Sequence, residues 1–128
     1  MIVARPPIRR DVRDALAVYG CLLLSAQQME KAHAVFKGMR VLLPDDAHVA
    51  KSLAMTTLAA GDAAAALALA DEARAKAGDD ELAALDALRG KALFALGRAD
   101  EARAALGQSL ARRAGRSNGT PAPNGKVP

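Results

Sequence analysis

The sequence predicts an all-α fold, an α-solenoid in which three helix pairs stack side by side. Three observations predict it: the composition, the apolar periodicity and a pair of small residues that recurs along the chain. Hydrophobic residues make up 52% of the 128 residues and aromatic residues only 2%, so Ala and Leu must fill the interior. Small side chains let helix backbones approach closely. The alternating β-branched runs of strands are scarce, and the length suits a single domain.

Small residues recur where two helices of a pair must touch. Three copies of this pair of residues, each spaced by twelve positions, run along the chain: Gly20 and Ala32, Ala54 and Ala66, Gly90 and Ala102. The first two copies are 34 residues apart and the last two are 36 apart. This spacing resembles that of the 34-residue tetratricopeptide repeat (TPR), which consists of two antiparallel helices. Three such repeats are predicted over residues 11–114.

Apolar periodicity and helix start and stop signals predict six helices. We expect them at residues 11–26, 29–42, 46–60, 62–76, 79–96 and 99–113. Pro44 ends the second helix, and Asp46 follows at the start of the third. Asp62 occupies the same place before the fourth helix, and Asp79-Asp80 before the fifth. These carboxylates lie at the positive ends of helix dipoles, which predicts that they act as caps.

The net charge of +4 is unevenly distributed. Residues 1–13 carry +3 and residues 111–128 carry +4, which leaves −3 for the part between them. We therefore expect solvated basic ends: a flexible lead over residues 1–10 and a disordered tail over residues 115–128, where Gly and Pro are frequent. Binding of nucleic acid by these ends is the alternative, and the lack of interleaved aromatic residues for base stacking disfavours it.

Cys21 is the only cysteine, so no internal disulfide can form and a reducing compartment is the simpler interpretation, with a disulfide between two copies as the open alternative. Its leucine-rich flanks suggest a small buried thiol. The competing interpretation is a secretion signal with lipidation at Cys21, because basic residues precede an apolar run over residues 15–24. Negative charge at Asp11 and Asp14 disfavours a signal, and the run is too short to span a bilayer.

Stacked helix pairs present their first helices along one concave face. In tetratricopeptide repeats, this groove is lined by a regular set of positions on those helices. In this chain the set predicts a partner-binding groove made of Ala17, Cys21, Leu24, His48, Lys51, Met55, Leu58, Ala87, Lys91 and Phe94. The same positions also select Asp14, Ser25, Ala59, Ala84 and Ala95.

The middle of this groove is apolar, with Met55 and Phe94 inside it and Lys51 and Lys91 at its rim. Burial of apolar surface would attract an extended or helical partner segment that is itself hydrophobic. The alternative is that the ends of the chain or a second copy of it cover the groove. Some repeats of this kind grip a terminal carboxylate with Lys and Asn on the first helix. That clamp is missing here.

The sequence predicts no enzyme, no cofactor and no metal site. His33 and His48 fall on different helices, and neither has a second ligand at the spacing that a metal needs. Gly90 and Lys91 do not complete a phosphate-binding loop, because Leu85 stands where the first glycine is required. A protein-binding role is therefore favoured over catalysis.

With the repeats in register, the chain resembles the small tetratricopeptide chaperones of bacterial type III secretion. Two phrases carry this resemblance: MEKAHAVF at residues 29–36, ahead of Leu43-Pro44-Asp45, and LRGKAL at residues 88–93, which runs into GRADEAR at residues 97–103. The resemblance covers about residues 12–113. The early start of the first repeat is more similar to the SctY/YscY type than to chaperones of translocator subunits.

The resemblance implies a right-handed α-solenoid of three TPR-like helix pairs and a cytoplasmic bacterial protein. It implies binding of a small early export substrate of the SctX type, which the protein delivers to the export gate. The expected assembly is a heterodimer or a homodimer, without nucleic acid and without membrane insertion. Two alternatives remain open: a generic scaffold or assembly adaptor, and a chaperone of needle or translocator subunits.

Overall fold

The computed structural model describes residues 9–119, and side chains over residues 9–115. It contains six helices: α1 (Arg10–Ser25), α2 (Met29–Leu42), α3 (Ala47–Ala59), α4 (Ala63–Arg74), α5 (Asp79–Ala95) and α6 (Ala99–Gly119). Between residues 9 and 119 there is no strand. The all-α prediction is confirmed, and the six predicted helices are present in order.

The predicted bounds agree closely with the observed helices except at the end of α6. This helix runs to Gly119, beyond the predicted end at residue 113. Residues 115–119, which the sequence analysis assigned to the disordered tail, are helical because an existing helix gains one hydrogen bond for each residue that extends it. Residues 120–128 of the predicted tail and residues 1–8 of the predicted lead lie outside the described part.

The helices pack in sequence order. Each helix contacts its neighbours along the chain, and α3 also contacts α5. Contacts between consecutive helices, together with the α3·α5 contact between first helices of consecutive pairs, are compatible with helical-repeat packing. None of the helices within residues 9–119 has both the length and the apolar character needed to cross a membrane.

The recurring small residues lie where the repeat register predicts them. All six are buried: Gly20, Ala32, Ala54, Ala66, Gly90 and Ala102. A Cβ atom added to Gly20 would lie 2.5 Å from Cζ of Phe36, and one added to Gly90 would lie 2.6 Å from Cγ of Leu106. The first and third helix pairs therefore approach too closely for a larger residue at these points.

The core is a row of three apolar clusters. The first joins α1, α2 and α3 around Phe36 and Met39. The second joins α3, α4 and α5 and consists mainly of Ala with Leu85 and Leu88. The third joins α5 and α6 around Leu93. As the composition predicts, Ala and Leu fill the last two clusters, while the first also contains one aromatic ring.

The turn inside each helix pair repeats a left-handed backbone conformation. Gly61 and Gly97 have φ angles of 96° and 79°, and Gln27 has 59° at the matching place in the first pair. Glycine adopts this region without steric cost, because it has no Cβ.

Two of the three predicted acidic caps are confirmed. The Asp46 side chain accepts a hydrogen bond from the Val49 backbone N–H at 3.1 Å, and Asp62 accepts one from Ala65 at 3.1 Å. Each bond satisfies a backbone N–H that has no partner inside the helix.

The cap predicted at Asp79-Asp80 is wrong, because Gly78 is the N-cap residue of α5, no side chain caps that end, and both aspartates already lie in the first turn.

A buried carboxylate, that of Asp86, ties the last three helices together. Its Oδ1 lies 2.8 Å from Nε of Arg74 on α4, and its Oδ2 accepts a hydrogen bond of 2.9 Å from Nε of Arg112 on α6. Arg89 on α5 lies 4.0 Å away. Arg112 was expected in a solvated basic end. It instead pairs with a buried charge, because α6 carries it back across α5.

Candidate protein-binding site

A cleft of about 220 Å³ opens between α3 and α5, on the face where the groove was predicted. It is lined by Lys51, Met55, Ala84, Ala87, Leu88, Lys91 and Arg113. Four of the ten predicted groove residues meet there: Lys51, Met55, Ala87 and Lys91. The α3·α5 contact that forms the cleft is the one between first helices of consecutive pairs.

The floor of the cleft is apolar and part of it is open to solvent. Met55 is 45% exposed, and Ala84 and Ala87 are half-buried beside it. Leu88 closes the bottom and belongs to the second core cluster. An apolar side chain from another molecule could therefore continue the packing of the core at this point.

Phe94 lies on α5, one turn beyond Lys91, and is 70% exposed. At the equivalent positions of the first two pairs, Leu24 and Leu58 are half-buried and pack against the core clusters. Phe94 differs because it is in the last pair: among the described residues, no further pair follows for it to pack against. It is the most exposed large hydrophobic side chain within residues 9–115.

The rim of the cleft is positively charged. Lys51 spans from α3 to α5, where its Nζ lies 2.7 Å from Oε2 of Glu81. Lys91 and Arg113 form no ion pair with any residue of the described part. The rim therefore has three cations and one carboxylate.

The other predicted groove residues are in different surroundings. Ala17, Leu24 and Leu58 are half-buried against the core clusters, so much of their surface already stabilises the fold. His48 is half-buried on the first turn of α3 and does not line the cleft.

Cys21 is exposed, so the prediction of a buried thiol is wrong. The physical reason is the repeat register. The equivalent residues of the next two pairs are Met55 and Lys91, which are also exposed. Of the leucines that suggested burial, Leu22 is itself 61% exposed, and only Leu24, three residues further along α1, packs against the first core cluster.

Sequence reasoning missed two lining residues, Leu88 and Arg113. Leu88 is a core residue whose edge reaches the cleft, and its apolar character gave no separate signal. Arg113 was grouped with the solvated basic end, and only the continuous course of α6 places it against α3 and α5.

A second hollow, of about 390 Å³, lies between α2 and α3 near His33. The Thr56 hydroxyl donates to the Leu53 carbonyl at 3.0 Å, so His33 Nδ1 donates to Thr56 Oγ1 across 2.9 Å. The Thr56 hydroxyl is therefore occupied by hydrogen bonds within the fold. No group of three or more His, Cys, Asp or Glu side chains within the described residues is arranged to hold a metal ion.

No protein-family model matches the sequence, and a search of curated proteins found no match. The interpretation of the site therefore depends on its geometry and on the resemblance described above.

Proposed function

We propose that this protein binds a segment of another protein along the face formed by α1, α3 and α5. More specifically, we propose a cytoplasmic type III secretion chaperone of the SctY/YscY type. Its client would be a small early export substrate of the SctX type, which it delivers to the export gate. In this proposal the helix pairs stack as a right-handed solenoid of the tetratricopeptide kind.

The observation that carries the binding role is the exposure of Met55 and Phe94 on the predicted face. Each leaves a large apolar surface in water, beside a cleft with an apolar floor. Burying such surface is worth about 25 cal/mol per Å². A partner segment that covered both residues would gain this energy and would also remove a surface prone to aggregation.

The size of the cleft favours a protein segment over a small molecule. Pockets for small ligands usually enclose about 300–1,000 Å³, whereas this cleft has about 220 Å³ and is open along one side. It holds one anchoring side chain of a longer segment. The rest of that segment would lie across the exposed row of Cys21, Met55 and Lys91.

The secretion role and its client follow from the resemblance of residues 29–45 and 88–103, and the geometry supports only the more general role of segment binding. The secretion role and the general binding role, in that order, therefore need separate tests. The gene's neighbours test the first, because an export chaperone of this type is expected among secretion genes and beside a small open reading frame that encodes its client.

The binding role is tested by co-expression with that adjacent open reading frame. We expect the wild-type chain to co-purify with its client as one complex of defined mass in light scattering. Met55→Glu/Phe94→Glu should abolish the complex, because two carboxylates would replace the apolar surface that the client covers. The helical circular dichroism should remain, since neither side chain belongs to the core.

The matched control is Leu42→Glu/Ala68→Glu, which adds the same two negative charges at exposed residues of α2 and α4, away from the face formed by α1, α3 and α5. It should bind the client like the wild type. A complex that survives Met55→Glu/Phe94→Glu would remove this face from the mechanism. A gene without secretion neighbours would remove the type III assignment and leave the general binding role.

A further inference from the structure

We infer that the segment held in the cleft is acidic, with one apolar anchor side chain flanked by Asp or Glu. This inference rests on the proposed function, because it specifies the partner of the same site.

The space in the cleft determines which kind of side chain can anchor the segment. Met55, Ala84, Ala87 and Leu88 form an apolar floor with room for a single large side chain. A polar anchor would lose its hydrogen bonds to water there without gaining new ones. An aliphatic or aromatic side chain is therefore the group that fits.

The charges around the cleft determine which residues can flank the anchor in the bound segment. Lys51 has Glu81 as its partner, but Lys91 and Arg113 have no carboxylate in the described part of the chain. These two cations line the cleft from α5 and α6. Carboxylates on a bound segment would form charge-assisted hydrogen bonds with them, while a basic segment would be repelled.

The chain's own ends do not supply such a segment. Residues 1–8 and residues 116–128 contain no Asp or Glu, and both stretches carry positive charge. They would add cations to a rim that already has an excess of them. The proposed contact also differs from the terminal-carboxylate clamp, because its cations lie on α3, α5 and α6 and would bind side-chain carboxylates along the segment.

The test is a selection of random 12-residue peptides displayed on phage, with the full-length protein as bait. Display at the coat protein's N-terminus leaves no free peptide carboxylate. We expect selected peptides to contain Leu, Ile, Met or Phe with Asp or Glu within four residues. Selection on Lys91→Glu/Arg113→Glu should instead enrich Lys and Arg at those places.

The selected peptide is then synthesised with a fluorophore and titrated by anisotropy. Binding to Lys91→Glu/Arg113→Glu should be at least tenfold weaker than to the wild type, and wild-type affinity should fall between 50 and 500 mM NaCl, because ionic contacts are screened. The control Lys37→Glu/Arg103→Glu makes the same charge change at exposed sites away from the cleft and should bind like the wild type.

Three outcomes would overturn the inference: no enriched peptide, enrichment without acidic residues, or affinity that the Lys91→Glu/Arg113→Glu change leaves unaltered. If Met55→Glu/Phe94→Glu still abolishes binding in the last two cases, the proposed function stands and only the acidic partner fails. If neither Met55→Glu/Phe94→Glu nor Lys91→Glu/Arg113→Glu weakens binding, both the proposed function and the acidic partner are contradicted. A homodimer that Lys91→Glu/Arg113→Glu dissociates would show that a second copy is the occupant.

Discussion

The missing side chain of Gly20 decides how closely α1 and α2 approach. Three ring atoms of Phe36 fill the space that its Cβ would occupy, at 2.5–3.0 Å. Phe36 is fully buried in the first core cluster, so its ring has no solvent into which it could move. The contact explains why a small residue is required at this point of the repeat.

Gly20→Ala is expected to lower the free energy of unfolding by about 1–2 kcal/mol, because the ring must shift within a packed core. Gly38→Ala, on the exposed side of α2, is the control. No atom lies within 4 Å of its added Cβ, so the gain in helix propensity should raise stability by about 0.5–1 kcal/mol. Urea unfolding followed by circular dichroism measures both changes. Equal effects at the two glycines would contradict the close contact.

Between helices, the ion-pair network of Asp86 connects α4, α5 and α6. Arg74, Arg89 and Arg112 come from three different helices and surround one buried carboxylate. A buried charge is tolerated only when it is well paired. The network therefore fixes how α4 and α6 sit on α5, and through α6 it fixes where Arg113 meets the cleft.

Asp86→Asn is expected to lower the free energy of unfolding by about 3 kcal/mol, because it leaves buried arginine atoms without a countercharge. Chemical denaturation of the full chain measures the loss, with Asp45→Asn as the control. Asp45 accepts a hydrogen bond from Lys76 at 2.5 Å in an exposed pair, which should contribute little. If Asp86→Asn were as mild as the control, the buried network would not hold these helices together.

The exposed pair of Asp45 and Lys76 has a definite pH dependence. The hydrogen bond and charge of Lys76 lower the pKa of the Asp45 carboxyl. A carboxyl whose pKa is lowered on folding stabilises the folded state above its ordinary pKa, and the effect is lost as the pH falls through the lowered value. The difference between wild type and Asp45→Asn should therefore vanish in acid.

As a whole, the molecule is held together by contacts between neighbouring helices. The inner helices each pack on two or more others, whereas α1 packs mainly on α2 and α6 mainly on α5. In such an array, stability is close to a sum of repeat and interface contributions. The ends can then open without unfolding the middle.

Hydrogen exchange measured by mass spectrometry should show this gradient. Peptides from α3 and α4 are expected to exchange most slowly, and peptides from α1 and from the C-terminal half of α6 most rapidly, because each end helix packs mainly on a single neighbour. A bound client would slow exchange in α3 and α5 above all. Uniform protection along the chain would contradict the gradient and indicate a single cooperative unit.

The sequence was sufficient to predict the six helices, two of the three acidic caps and the buried small residues. It also predicted four of the cleft residues, among them Met55 and Lys91, because they recur at fixed places in the repeat. It did not predict the exposure of Cys21, the role of Arg113 or the pairing of Asp86. Each of these depends on which helix lies across from the residue.

By itself, the sequence determined the local structure of this protein. Periodicity, caps and small residues act within one or two turns of a helix, so residues close together in the sequence reveal them. Only the tertiary structure decided which charges pair and which apolar side chains stay open. Arg112 meets Asp86 and Arg113 meets the cleft because α6 crosses α5 at one angle, which no spacing along the chain reveals. Phe94 is exposed because, within the described residues, the stack ends beside it.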